Sequence, residues 1–161
     1  MKIANGYFKC MDVVYKVCKV VGLILLGATV TLLFIATVLR YCFNITLSWA
    51  EELCRYMVIW FSFLGSGIGI RNNIHVGFDL LKNRLPEKIK PAWNIILSSV
   101  TTVGSCVLIK GAVALVKQVS KQTSSSMGIP MSYVYIGLLV GLVLIALFSV
   151  EAVLKEVTKQ K

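Results

Sequence analysis

The chain has 161 residues, of which 57% are hydrophobic and 15% are charged, and its mean hydropathy is +0.81. Soluble domains are about half apolar and about a quarter charged, so this composition predicts a membrane protein without a separate soluble domain. The net charge of +10 does not indicate nucleic-acid binding, because the basic residues lie between apolar runs, where Lys and Arg commonly flank membrane spans.

Four apolar runs account for nearly the whole chain. A hydrocarbon core about 30 Å thick requires about 20 apolar residues per helix. The first run lacks a small-residue cleavage site, so we expect a retained helix rather than a removed signal peptide. We therefore predict an all-α membrane protein with four transmembrane helices in one compact bundle, a single membrane domain over residues 1–161. The predicted spans are about 17–39, 49–70, 92–110 (with no helix breaker before 121) and 130–150.

The second span differs from the others because it must include Glu51, Glu52 and Arg55 to be long enough to cross. Ser48 to Glu51 has the form of a capping box, and both acids suit the positive end of the helix dipole. Glu51 is also spaced to pair with Arg55 one turn later, and Arg40 is a second candidate partner. Ionisable residues inside a span can instead mark an ion or substrate path, so that alternative stays open.

The segment between the second and third spans predicts a short amphipathic helix over about 73–85. Its apolar residues follow a helical spacing that places them on one face, whereas His75 and Asp79 fall on another. We expect this helix to lie in the membrane interface; the alternative is an apolar loop. The apolar residues are Ile74, Phe78, Leu81 and Leu85.

No catalytic or metal-binding set is evident. His75 is the only histidine, which argues against a di-haem bundle or a multi-histidine metal centre. No nucleophile, base and orienting residue occur together, and no glycine-rich phosphate loop follows a strand pattern. The sequence therefore predicts a protein that is not an enzyme and has no cofactor.

Small residues recur at four-residue spacing within two spans. Gly65 and Gly69 lie in the second span, and Gly137 and Gly141 lie in the fourth. Such pairs allow two helices to approach closely, either within one chain or with a partner subunit.

The distribution of Lys and Arg predicts the orientation. Twelve of the 17 lie in the two tails and the middle loop, and five lie on the other side. The positive-inside rule then places the N and C termini in the cytoplasm. Three of the five, Lys110, Lys117 and Lys121, would share one face of a helix. They could reach outer lipid headgroups or dock an acidic extracytoplasmic partner, and we weigh these equally.

Several motifs between about Leu39 and Leu147 resemble one known family. Ser48-Trp49-Ala50-Glu51-Glu52-Leu53-Cys54-Arg55-Tyr56 contains W-x-E-E-x-x-R-Y, and Arg71, His75 and Asp79 follow as R-x-x-x-H-x-x-x-D. Further matching positions are Leu39-Arg40-Tyr41, Trp60, Phe63-Leu64-Gly65, Ser126-Met127-Gly128-Ile129-Pro130-Met131 and Val134-Tyr135. This pattern resembles the small membrane subunit of tripartite ATP-independent periplasmic (TRAP) transporters, the DctQ-type family. Cys54 departs from it, since a small residue such as Ala is commoner there.

The resemblance implies a multi-pass protein of the bacterial inner membrane that takes part in sodium-coupled uptake of an organic acid, such as a C4-dicarboxylate or a sialic acid. An extracytoplasmic binding protein would deliver the substrate to a large multi-spanning subunit, which would hold the substrate and sodium sites. This chain would be a helical scaffold packed against that subunit and surrounded by phospholipid. The alternatives are a small self-sufficient carrier, which the lack of a midplane acid and of repeated halves disfavours, and a structural or assembly protein.

Overall fold

The computed structural model describes residues 2–72 and 90–159, and within these ranges it contains four long helices. Each includes a stretch that is long and apolar enough to cross a membrane, which confirms the prediction of an all-α protein with four such helices. The predicted interfacial helix over 73–85, with His75 and Asp79, lies outside the described residues. The helices are α1 (Lys2–Phe43), α2 (Ser48–Arg71), α3 (Lys90–Val119) and α4 (Met131–Lys159).

The helices are generally longer than the apolar runs, because helical structure continues through the polar residues that flank each run. α1 ends where Asn44 adopts a left-handed backbone conformation (φ 55°), which asparagine tolerates better than most residues. Pro130, the first residue of the predicted fourth span, precedes the fourth helix and forms an isolated β-bridge with Thr123. The α1–α2 connection (44–47) and the α3–α4 connection (120–130) lie at the same end of the helices, which we call the connection end.

The helices form an open row in the order α1, α2, α4, α3. α1 packs on α2, α2 packs on α4, and α4 packs on α3, whereas α1 and α3 do not make an extensive contact. The prediction of one compact bundle is therefore wrong. The physical reason is that lipid tails are as apolar as leucine side chains, so helices in a membrane gain little from closing a bundle around an apolar core.

The contact between α3 and α4 depends on small side chains. Ser98, Ser105, Ala112 and Val119 recur at seven-residue intervals along α3, and all four are buried. A seven-residue repeat keeps one stripe of a helix against its neighbour, and small residues in that stripe allow a close approach. α3 therefore packs along most of its length on α4.

A second cluster joins α1, α2 and α4 at the end opposite to the connections. Its buried members are Met11 and Cys18 of α1, Leu64 of α2, and Leu144 and Phe148 of α4. Three helices meet here, so α2 is held between its two neighbours.

Candidate functional site

Glu52 of α2 binds the α3–α4 connection. Its Oε1 accepts hydrogen bonds from the Tyr56 hydroxyl (2.6 Å) and the Ser125 amide (3.2 Å), and its Oε2 accepts one from the Ser126 amide (3.0 Å). Glu52 is only 8% exposed, so these three donors take the place of water around its carboxylate. We call this arrangement the Glu52 clamp (Glu52, Tyr56, Ser125, Ser126).

The connection that the clamp holds is itself a closed turn. The Ser124 amide donates to the Ile129 carbonyl (2.9 Å), the Gly128 amide donates to the Ser124 carbonyl (3.2 Å), and the Met127 amide donates to Ser124 Oγ (3.1 Å). Gly128 has a φ of 65°, in the left-handed region that glycine adopts without strain. The backbone of this segment is therefore fixed both from within and by Glu52.

The start of α2 differs from the predicted capping box. The helix begins at Ser48, its N-cap residue is Leu47, and no side chain caps it. Glu51 instead forms an ion pair with Arg40 at the end of α1 (3.0 Å), and not with Arg55. The capping box is wrong because the neighbouring helix offers Glu51 a cationic partner. Glu51 and Glu52, adjacent in the chain, thus bind different neighbours of α2.

Arg55 is exposed, and it makes no ion pair with any residue of the described ranges. It borders two grooves at the connection end, one between α1 and α2 and the other beside the Glu52 clamp. Trp49, another residue of the same motif, is 45% exposed in the first turn of α2. The W-x-E-E-x-x-R-Y motif therefore combines internal contacts, from Glu51, Glu52 and Tyr56, with a free cationic side chain.

The four predicted packing glycines have different surroundings. A Cβ atom on Gly137 would lie 2.7 Å from the Trp60 ring, and one on Gly141 would lie 2.3 Å from Phe63 Cβ, so α4 touches α2 at both positions. Gly65 is exposed and has no atom near the place of a Cβ.

Gly69 is half-buried in the last turns of α2. Gly67, which the four-residue spacing did not single out, faces Leu144 and Phe148 of α4.

Arg71 lies at the opposite end of α2, where α1, α2 and α4 meet. Its guanidinium donates to the carboxylates of Asp12 and Glu151, the latter at 3.1 Å, and it lies over the rings of Tyr15 and Phe148. The side chains of Arg71 and Glu151 are 8% and 1% exposed. We call these five residues the Arg71 cluster.

The sequence had singled out Arg71 but neither of its acidic partners. Asp12 precedes the first apolar run and Glu151 directly follows the fourth, so neither lies inside a predicted span. One signal was available: if both termini and the middle loop share one side of the membrane, these acids and Arg71 lie at the same level.

Lys110 and Lys117 are exposed on α3, seven residues apart and hence on nearly the same face. Lys121 is also exposed, but it lies beyond the end of α3. In the described ranges, no three His, Cys, Asp or Glu side chains come together as a metal site. The polar contacts present here join helices and hold a turn; they do not form a reaction centre.

Comparison with known proteins matches most of the chain. A family model described as "Tripartite ATP-independent periplasmic transporters, DctQ component" matches residues 29–159. A TRAP transporter small permease protein of Haemophilus influenzae is 38% identical over 71 residues, which are 44% of each chain. The C4-dicarboxylate TRAP transporter small permease protein DctQ of Rhodobacter capsulatus is 33% identical over 122 residues, 71% of this chain and 50% of that protein.

A second small permease protein of H. influenzae is 24% identical over 159 residues, 97% of this chain and 92% of that protein. The chain spans half or less of the length of the first two of these relatives, which are 38% and 33% identical to it.

Proposed function

Because the chain belongs to the DctQ component family of TRAP transporters, we propose that it is the scaffold subunit of a sodium-coupled transporter that imports an organic acid. Membership confirms the resemblance drawn from the motifs. It makes the chain a multi-pass protein of the bacterial inner membrane and a transporter component, not an enzyme. In the proposed assembly, a large multi-spanning subunit carries substrate and sodium, and an extracytoplasmic binding protein delivers the substrate.

The observation that carries the scaffold role is the position of the acidic residues. Asp12, Glu51, Glu52 and Glu151 each bind a cation or backbone amides at the level of one of the two ends of α2. Glu52 and Arg71 lie 19 residues apart on α2, about 28 Å at about 1.5 Å per residue, close to the thickness of a hydrocarbon core. Carriers commonly place an ionisable residue near the midplane, and none of these four acids occupies that level.

We propose that both termini are cytoplasmic, as the distribution of Lys and Arg predicts. The two connections at the connection end would then face the periplasm, and the Arg71 cluster would lie at the cytoplasmic side. The interfacial helix over about 73–85, with His75 and Asp79 on its polar face, is part of the same proposal.

The names of the relatives support the proposed substrate class. Two of them are named for C4-dicarboxylates, one for sialic acid and one for isethionate, all of which are organic anions. We propose a C4-dicarboxylate or a sialic acid as the transported class. The proposed scaffold need not bind it, since no described polar cluster is left open for a carboxylate in the middle of a span.

We also propose that Lys110, Lys117 and Lys121 help to dock the binding protein through its acidic residues. Exposed charges of this kind mainly change the rate of association and its dependence on salt. Reversing Lys117 and Lys121 to Glu should slow docking at low ionic strength. If the reversed variant transports as well as the unmodified chain, the docking proposal fails, and these side chains contact lipid headgroups instead.

Purification from the native membrane tests the main proposal. A tagged chain should bring a large multi-spanning subunit with it, and only the two together, with the binding protein, should import substrate into liposomes under a sodium gradient. Uptake by this chain alone would establish the self-sufficient carrier instead. Recovery without any transporter subunit would establish the structural or assembly role.

A further inference from the structure

A groove between α1 and α2 opens at the connection end. It has a volume of about 510 Å³, and its residues change from apolar to charged toward that end. Leu33 and Ala36 of α1 and Val58 of α2 line the deeper part, about 10 to 15 Å from the helix ends at about 1.5 Å per residue. Arg40 lies about 5 Å from the end of α1, and Arg55 lies about 10 Å from the start of α2, near the level of Ala36. The groove therefore has aliphatic side chains in its deeper part and three charged side chains, Arg40, Glu51 and Arg55, nearer its opening.

One positive charge that lines the groove is left uncompensated. Arg40 forms its ion pair with Glu51, so these two charges largely cancel. Arg55 is exposed and has no ion-pair partner in the described ranges. A guanidinium about 10 Å from the helix start is costly in the membrane unless it reaches water or an anion. Its planar set of N–H donors matches a phosphate group particularly well.

The surface beside the groove is of the kind that faces lipid. Val30, Leu33 and Phe34 of α1 are 59%, 43% and 69% exposed, and none of them is polar. A ligand that matches both parts of the groove carries a phosphate and, directly below it, an aliphatic chain. A free phosphate ion would leave the apolar part empty, whereas a phospholipid would fill both parts.

We propose that the groove between α1 and α2 binds one anionic phospholipid, with its phosphate on Arg55 and an acyl chain along Leu33, Ala36 and Val58. The proposal depends neither on the transported substrate nor on the orientation of the chain, because the groove and its charge are properties of α1 and α2 alone. In this proposal Arg55 binds a lipid, whereas Glu51 and Glu52 of the same motif bind other parts of the chain.

The test measures phosphatidylglycerol and phosphatidylcholine bound to the full chain by native mass spectrometry, both alone and with the membrane subunit that copurifies. Arg55→Gln removes the charge and keeps the length of the side chain approximately, and Val58→Phe fills the apolar part. In the matched controls, Lys19→Gln on α1 removes another exposed cation and Val107→Phe on α3 enlarges another exposed aliphatic residue.

Arg55→Gln should lower the preference for phosphatidylglycerol about fivefold, the effect of one Arg near an anionic headgroup. Val58→Phe should lower retention of both lipids, and the two controls should retain them as the unmodified chain does. Equal losses in Arg55→Gln and Lys19→Gln would reduce the effect to general attraction by the surface and overturn the proposal. Unchanged lipid binding with weaker association of the large subunit would overturn it too, and would assign Arg55 to an acidic residue of that subunit.

Discussion

Gly141 and Gly65 provide a sharp test of the contact between α2 and α4, because the same residue type lies in two different surroundings. Both belong to small-residue pairs at four-residue spacing. A Cβ on Gly141 would lie 2.3 Å from Phe63 Cβ and 3.1 Å from the Phe63 carbonyl carbon, whereas a Cβ on Gly65 would meet nothing within 4 Å. The two Gly→Ala variants therefore differ in packing and hardly at all in chemistry.

The size of the difference follows from these distances. Non-bonded carbons pack at about 3.5–4.0 Å, so Gly141→Ala must move the facing atoms of α2 and α4 apart by about 1.2 to 1.7 Å. The atoms in the way are a Cβ and a backbone atom of Phe63, and a change of side-chain rotamer moves neither. Overpacking of this kind costs about 1–3 kcal/mol. The helix-propensity gain of about 1 kcal/mol from Gly to Ala is common to both variants and cancels in the comparison.

Unfolding in mixed micelles with a rising fraction of sodium dodecyl sulfate, followed by circular dichroism, measures this difference. Gly141→Ala should have a free energy of unfolding about 1–3 kcal/mol below that of Gly65→Ala, and Gly65→Ala should equal or exceed the unmodified chain. Equal stability of the two variants would mean that α4 does not approach α2 at Gly141, and the packing argument would fail.

Three further outcomes follow from the polar contacts. Glu52→Gln should raise amide hydrogen exchange in the α3–α4 connection about tenfold or more, because an amide NH₂ replaces one acceptor oxygen, whereas Glu51→Gln should leave that exchange unchanged. Arg71→Met should lower the free energy of unfolding by about 3–5 kcal/mol, because the buried Glu151 carboxylate loses this cation. In a double-mutant cycle, adding Glu151→Met should recover part of that loss. Gly128→Ala should cost about 1 kcal/mol, because its φ of 65° disfavours a side chain, and a thermal unfolding scan beside Gly65→Ala would measure it.

The number and approximate position of the apolar helices could be predicted from the sequence, because span length is set by membrane thickness. The order of the helices in the row could not. Gly65 and Gly141 have the same local pattern, and only the identity of the neighbouring helix makes one a contact and leaves the other exposed. The order of the helices in the row depends on which pairs of helices pack together. Hydropathy along the sequence does not contain that information.

The charged residues illustrate the same limit at closer range. Spacing along α2 predicted that Glu51 would cap its own helix or pair with Arg55. The second candidate partner, Arg40 on α1, is the one that it binds. Glu52 binds backbone amides more than 70 residues away in the chain. Local rules describe what a carboxylate can bind, but the partner that it takes depends on which helix end lies beside it.

The polar links of α2 explain how an open row can keep its register. Apolar helix faces in lipid can slide past one another at little cost, whereas a hydrogen-bonded ion pair is satisfied at one position only. α2 has such links near both of its ends. At the connection end, the Glu51–Arg40 pair holds α1 and the Glu52 clamp holds the segment that leads into α4. At the other end, the Arg71 cluster holds α1 and α4 together. Each neighbour of α2 is therefore fixed at two levels about a membrane thickness apart, which sets both its height and its tilt, and a rigid scaffold requires both.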